Sequence, residues 1–244
     1  MENSKNLSPD QLDAIKDILG DKADTQYVTI ELPSNGVAYQ KEVQLRPFTF
    51  EDEKFALSNK VKKADFINIL LDRCLKDIPL DSLLLCDKNY LVTKLKEIST
   101  GSDVSMLVKC EACGVESNVS VDLTLLKINS FEEEGEIPIK FKLESLDKEA
   151  VVRPARVQDE KHISTFETFS NNLWRFVESI HGVEDKAVLA EVLPKLPVQD
   201  VHKIMKYVNM SDYGIVDEFN YLCDSCGNQQ IEEVPLTANF FGDS

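Results

Sequence analysis

Two short stretches of this sequence carry recognisable chemistry, C-E-A-C-G at 110–114 and C-D-S-C-G at 223–227. Each offers two thiols three positions apart, followed by glycine. A pair at this spacing supplies half of a tetrahedral site, and Cys110, Cys113, Cys223 and Cys226 together supply a full four-thiolate set of the kind that holds structural zinc. The glycine lets the backbone turn back so that its amides face the sulfurs. A single C-x-x-C could instead be a thioredoxin-like dithiol, but two such pairs, each at a hairpin tip, fit that role poorly. An iron–sulfur cluster is the other chemistry that four thiolates allow. Cys74 and Cys86 sit in apolar stretches, "LLDRCL" and "LLLC", and read as small buried hydrophobes.

Nothing else in the chain has the pattern of a reactive site. His162, His181 and His202 stand in no H-E-x-x-H arrangement and read as ordinary helix residues, and Trp174 reads as packed. There is no P-loop, nucleophile elbow, dinucleotide fingerprint or deaminase signature. The expectation is a protein that is not an enzyme and takes no small-molecule substrate.

The 244 residues carry 27 basic and 43 acidic side chains, a net charge of −16. Such a surface repels phosphate backbones and anionic membranes. The knuckle tips hold no lysine or arginine, which argues against a zinc ribbon that reads nucleic acid, the main rival function. No apolar run is long enough to span a membrane. The start, "MENSKNLSPD", lacks the apolar core of a signal peptide, so a reducing cytoplasm is expected.

The elements that must position the cysteines follow from the pattern. Ser8 caps a short helix over 8–20, with Pro9 at its first position, Gln11 completing a capping box and Gly20 ending it. Its stripe of Leu12, Ile15, Ile18 and Leu19 must dock on something, and a partner protein is one candidate. "YVTIEL" and "EVQLR" alternate as strands about Asn35-Gly36. Thr49 and Asp52 mark a helix start, "ADFINILLDRCL" reads as a second helix, and "DKNYLVTKLKEISTG" as a third with Asp87 as cap and Gly101 past its end. Strands flank each knuckle. In the second half, Ile163, Phe166, Phe169, Leu173, Phe176 and Ile180 predict one long amphipathic helix stopped by Gly182, with two more helices over "EDKAVLAEVL" and "VQDVHKIMKYV".

The halves repeat. Arg46-Pro47 and Asp52-Glu53-Lys54 recur as Arg153-Pro154 and Asp159-Glu160-Lys161, 107 positions on, and the knuckles recur 113 positions apart. The repeated R-P…D-E-K could form a ligand site, but the favoured reading is that the arginine caps helix carboxylates while the proline and acidic residues start a helix. The fold class expected is α+β, with two duplicated strand–helices–knuckle units related by a pseudo-two-fold. The organisation is an N-terminal helix and linker over 1–26, a first repeat over 27–126, an acidic linker over 127–136 and a second repeat over 137–244.

The stretch "ELPSNGVAYQKEVQLRPFTFEDEKFAL" resembles the T4-like phage baseplate hub family, which has a P-S-x-G hairpin, a strand-to-helix step through R-P, a D-E-K segment, helices and a C-x-x-C knuckle. Here these are Pro33, Ser34 and Gly36, Arg46 to Thr49, Asp52 to Lys54, and Cys110 to Gly114. The likeness is clearest over residues 30–125, and the terminal "VPLTANFF" shares it. The second knuckle lies outside the pattern. The resemblance implies a structural or assembly role in building a contractile-tail hub, as a hub subunit or an assembly factor, with other hub proteins as partners. Its place would be the host cytoplasm during assembly, or the tail baseplate of the virion.

Overall fold

In the computed structural model, residues 8–19, 26–58, 65–132, 135–236 and 238–241 are described. The architecture is mixed α+β, made of small antiparallel sheets and helices. Gly20, most of the polar segment after it, and residues 133 and 134 of the acidic run lie outside the described residues.

Helix α1, Pro9–Leu19, begins as its caps dictate. The Ser8 amide donates to Gln11 Oε1 at 2.8 Å, and the Gln11 amide to Ser8 Oγ at 3.3 Å. Strands β1, Val28–Glu31, and β2, Glu42–Leu45, pair antiparallel. Asn35 and Gly36, between them, both take positive φ, a conformation these two residue types tolerate best. On β2 the alternation holds: Val43 and Leu45 are buried and Gln44 is turned outward. Helix α2, Phe50–Ala56, starts at the Thr49–Asp52 capping box. Helix α3, Phe66–Cys74, runs into β3, Leu75–Lys76, which adds to the sheet beside β2.

Helix α4, Leu85–Thr100, ends at Gly101 as the sequence predicts, but its start corrects the expectation. Leu84 is the cap, and Asp87 lies one turn inside, fully buried. Its carboxylate accepts the Ser34 amide at 2.9 Å and the Tyr39 hydroxyl, while Tyr39 accepts the Leu84 amide. Asp87 therefore ties the β1–β2 connection to the helix. Burial pushes its pKa up, against the hydrogen bonds that favour its charged form.

Strands β4, Asp103–Lys109, and β5, Glu116–Asp122, form the first knuckle hairpin. Strand β6, Ile128–Asn129, follows, and Phe131 is buried rather than solvated. Its ring stacks on Tyr213 at 4.1 Å, and its carbonyl accepts Asn35 Nδ2.

The second half opens with β7, Ile139–Leu143, and β8, Lys148–Val152, paired antiparallel. The long helix expected over 163–180 is absent. In its place stand a 3-10 turn over Val157–His162, α5 over Phe166–Asn172, a second 3-10 turn over Leu173–Arg175, and β9, Val177–Ile180, paired with β8. Apolar residues four apart, such as Phe176 and Ile180, share a face in a strand as well as in a helix. The β-branched Val177 and Ile180 gain more by joining the sheet edge than by extending a helix. His181, at φ +51, sits in the turn after β9, not in a helix. Helices α6, Lys186–Val192, and α7, Val198–Asn209, complete this half. Strand β10, Gly214–Ile215, pairs with β6, and β11, Glu218–Leu222, with β12, Gln229–Glu233, forms the second knuckle hairpin.

One core gathers β2, α3, α4 and both hairpins, and a second gathers β7–β9 with α5, α6 and α7. The chain's end returns to the first core, where Phe241 meets Phe48 and Phe66 edge-on. Between the cores the Leu85 amide donates to the Ala155 carbonyl and the Val157 amide to the Leu83 carbonyl. Gly214, at φ +90, lies so close to α4 that a Cβ there would stand 2.9 Å from the Cys86 carbonyl oxygen.

The Arg-Pro steps have matching geometry. Arg46 grips Asp52 through two bonds, 2.7 and 3.1 Å, and Arg153 grips Asp159 through two, 2.8 and 3.1 Å. The Arg46 amide donates to the Cys74 carbonyl and the Arg153 amide to that of Phe176. Asp200, third in α7, accepts the Ser145 amide at 3.4 Å, much as Asp87, third in α4, accepts that of Ser34. Both three-stranded sheets are wholly antiparallel, in the orders β1-β2-β3 and β7-β8-β9.

Candidate metal centre

Each knuckle is a hairpin tip closed by the same two bonds. In the first, the Cys110 amide donates to the Val115 carbonyl at 2.9 Å and the Gly114 amide to the Cys110 carbonyl at 2.8 Å. In the second, Cys223 donates to Asn228 at 2.9 Å and Gly227 to Cys223 at 2.8 Å. Gly114 and Gly227 have φ of +74° and +72°. A Cβ would meet nothing at either position, so backbone conformation alone selects glycine there.

Two tips far apart in sequence are brought face to face. The four sulfurs all lie within 4.8 Å of one another. Cys110 Sγ is 3.7 Å from Cys226 Sγ, and Cys113 Sγ is 3.8 Å from Cys223 Sγ. Four thiolates about 2.3 Å from a central ion have sulfur–sulfur edges of about 3.8 Å, so the sulfurs already stand near the corners such an ion requires.

The surroundings favour thiolates at the two buried sulfurs, while at Cys226 the Asn228 amide favours the charged form and the neighbouring sulfurs outweigh it, pushing the thiol up to about 12. The Cys113 amide points at the Cys110 sulfur and holds that thiol below its ordinary range. The amides of Cys226 and Ser225 act likewise on Cys223 and bring it down to about 6. A thiol as low as that of Cys223 loses its proton readily at neutral pH, as metal ligation requires. Cys110 and Cys223 are buried with Val108 and Tyr221, while Cys113 and Cys226 face solvent. The other two cysteines contrast with these. Burial pushes Cys74 up to about 12 and raises Cys86 further, the behaviour of inert core thiols.

The cross-hairpin contacts were not legible in the sequence. Gln230 of β12 accepts the Glu111 amide at 3.0 Å and donates to the Lys109 carbonyl at 3.1 Å, which docks the second hairpin on the first tip. The Tyr221 hydroxyl lies against Ser117 and Cys223. Neither residue belongs to a motif, and only the three-dimensional pairing of the hairpins gives them these roles.

Of the α1 stripe, Leu12, Ile15 and Ile18 keep 47%, 39% and 82% of their surface exposed, and the Leu19 side chain is outside the described residues. Among the described residues no helix is long and apolar enough to cross a membrane.

No curated protein and no solved structure matches the chain. A family model does, over residues 24–242, a span that holds both Arg-Pro steps and both knuckles. Matched over nearly its whole length, the chain belongs to the family described as T4 bacteriophage base plate protein.

Proposed function

We propose that this chain is a non-enzymatic structural or assembly protein of a contractile phage tail baseplate hub, and that one zinc ion held by Cys110, Cys113, Cys223 and Cys226 staples its two halves. The observation that carries the metal reading is the convergence of two knuckles 113 positions apart into a sulfur cluster of tetrahedral dimensions. Sulfur edges this short suit a single ion better than a multi-iron cluster, whose thiolates are spread by the metals between them. Family membership supports the baseplate setting, with action in the host cytoplasm during assembly and a place in the virion tail.

The duplicated organisation belongs to the same reading: a first unit over 27–126, an acidic linker over 127–136 and a second unit over 137–244, related by a pseudo-two-fold. The paired Arg–Asp grips and the Asp87 and Asp200 contacts support it. Each unit contributes two ligands, so neither closes the site alone. Elemental analysis of the purified chain should give about one zinc per molecule, with no visible absorption from iron. A folded chain that holds no metal, or one that holds an iron–sulfur chromophore, would refute the zinc staple.

The N-terminal helix is read as an arm for another hub protein. Its exposed Leu12, Ile15 and Ile18 form an apolar stripe suited to a groove, with Leu19 completing it in the sequence. A chain beginning at Asp24 should keep its metal and melt within about 2 °C of the full chain, since few buried side chains are lost. The same chain should fail in hub assembly. A truncation that melts several degrees lower yet still assembles would show that the arm serves the chain's own stability instead.

A further inference from the structure

Among the described residues each knuckle hairpin is a sheet of only two strands, which leaves each strand one open edge. Between the hairpins lies a cleft of about 710 Å³ whose walls include residues 118–122 of β5 and 218–222 of β11. It meets every residue of those stretches rather than alternate ones. A cleft against a sheet face would meet every second side chain, so this one lies along the two strand edges.

The hydrogen-bond alternation says which groups point into it. In the first hairpin Cys110 donates to Val115 and Leu123 to Ser102. With the register running from Asp103↔Asp122 to Lys109↔Glu116, Val119 and Val121 bond back to β4, and Asn118, Ser120 and Asp122 turn their amides and carbonyls away from it. In the second hairpin Cys223 donates to Asn228 and Val234 to Asp217. By the same rule Phe219 and Tyr221 bond to β12, and Glu218, Asn220 and Leu222 turn theirs outward. Two rows of backbone groups with no partner among the described residues, each about 17 Å long, therefore border one cleft. Neither row carries the lysine, proline or bulge that commonly blunts an edge.

The charge of the walls selects the occupant. Among the described residues Asp122, Glu218 and Asp224 line the cleft against a single cation, Lys127. The whole chain carries −16, which sets a second copy of itself at a disadvantage. Leu125 and Leu222, 82% and 56% exposed, offer apolar contacts beside the acids. We propose that the cleft takes an extended segment of a partner protein bearing basic side chains, bound as an added strand along the edges of β5 and β11. Backbone pairing would supply affinity and the acidic walls the choice of partner. This inference rests on the hairpins and their charge, whichever metal the knuckles hold.

The test uses the full-length, metal-loaded chain and a capped heptapeptide of alternating lysine and valine, with amide exchange followed by NMR. Saturable binding is expected, with roughly tenfold or greater slowing of exchange at Asn118, Ser120 and Asn220. A peptide with central proline, or with glutamate for lysine, should give neither effect. Asn220→Pro removes an outward amide and spares the ladder, so it should weaken binding with metal content retained. Glu218→Lys, which leaves the backbone alone, should weaken it as well. Absent binding, binding that tolerates the central proline, or binding that leaves the edge amides fast would overturn the proposal. So would edge amides that are already protected in the free chain and lose that protection on dilution, the mark of self-association.

Discussion

With the proposed zinc staple in place, Cys110→Ser and Cys226→Ser are each expected to abolish metal binding and to leave protein that melts far lower or precipitates. The two hairpins share no backbone ladder, and a lone two-stranded hairpin is marginal in water. What joins them besides the sulfurs is a small apolar cluster around Val108 and Tyr221, the bridge made by Gln230 and, nearer their bases, the first core and the β6–β10 pairing. A structural zinc in a small site contributes about 10–16 kcal/mol of apparent binding free energy, which becomes folding free energy when the unfolded chain lacks the site. Losing one thiolate of four should remove several kcal/mol of that, at the exposed Cys226 as much as at the buried Cys110. Exposure alone would predict the opposite, a large loss at Cys110 and almost none at Cys226, so the pair separates ligation from packing. Cys86→Ala is the control: it removes a buried thiol from the junction between the halves and should lower the melting midpoint modestly with the metal retained. Metal content and thermal midpoint, read on all three variants, decide the matter. A Cys226→Ser chain with an unchanged midpoint would count against the staple.

The parts of this fold that the sequence disclosed are local ones. The capping boxes at Ser8 and Thr49, the turn at Asn35-Gly36 and the helix stop at Gly101 each depend on residues within a few positions, and all stand where the spacing puts them. The sulfur cluster is non-local, yet it was legible because the motif is written twice, and paired C-x-x-C-G knuckles are a metal-site pattern. What stayed hidden depends on partners remote in the chain. Asp87 has the form of a helix cap, and only the arrival of Ser34 and Tyr39 makes it a buried anchor. The stretch 163–180 has helical spacing, and only the free edge of β8 draws Val177–Ile180 into a sheet. Phe240 and Phe241 close a core built mostly from the other end of the chain, which no terminal pattern announces. Tertiary context overrides propensity most readily in such apolar segments, whose spacing alone does not tell helix from strand.

Asp52→Ala should cost about 3–5 kcal/mol at neutral pH, the scale for removing one partner of a buried ion pair. The carboxylate is 2% exposed and accepts from Arg46, Arg73 and the Thr49 amide, so its loss strands two guanidinium groups, that of Arg46 only 14% exposed. Asp159→Ala, in the corresponding place, should cost less, about 1–3 kcal/mol. There a single arginine is left, Arg153, and it is 31% exposed and has Glu178 nearby. Burial works against ionisation of Asp52, but its bonds to Arg46, Thr49 and Arg73 outweigh that and hold the carboxyl well below the usual carboxylate range. Asp159 is lowered as well: burial again opposes ionisation, and Arg153 and the Arg156 amide overcome it. A carboxyl depressed in the folded state stabilises the fold fully above its unfolded pKa, about 3.9, and loses that contribution as the pH falls through the folded value. The gap between wild type and Asp52→Ala, measured by urea unfolding, should therefore be widest near pH 7 and shrink below about pH 4. A combined Arg46→Met, Asp52→Leu, Arg73→Met chain should recover much of the loss, because apolar side chains of similar size leave no charge stranded. Equal costs at Asp52 and Asp159, or a gap that does not narrow in acid, would show that the pair at Arg46 acts through packing rather than through charge.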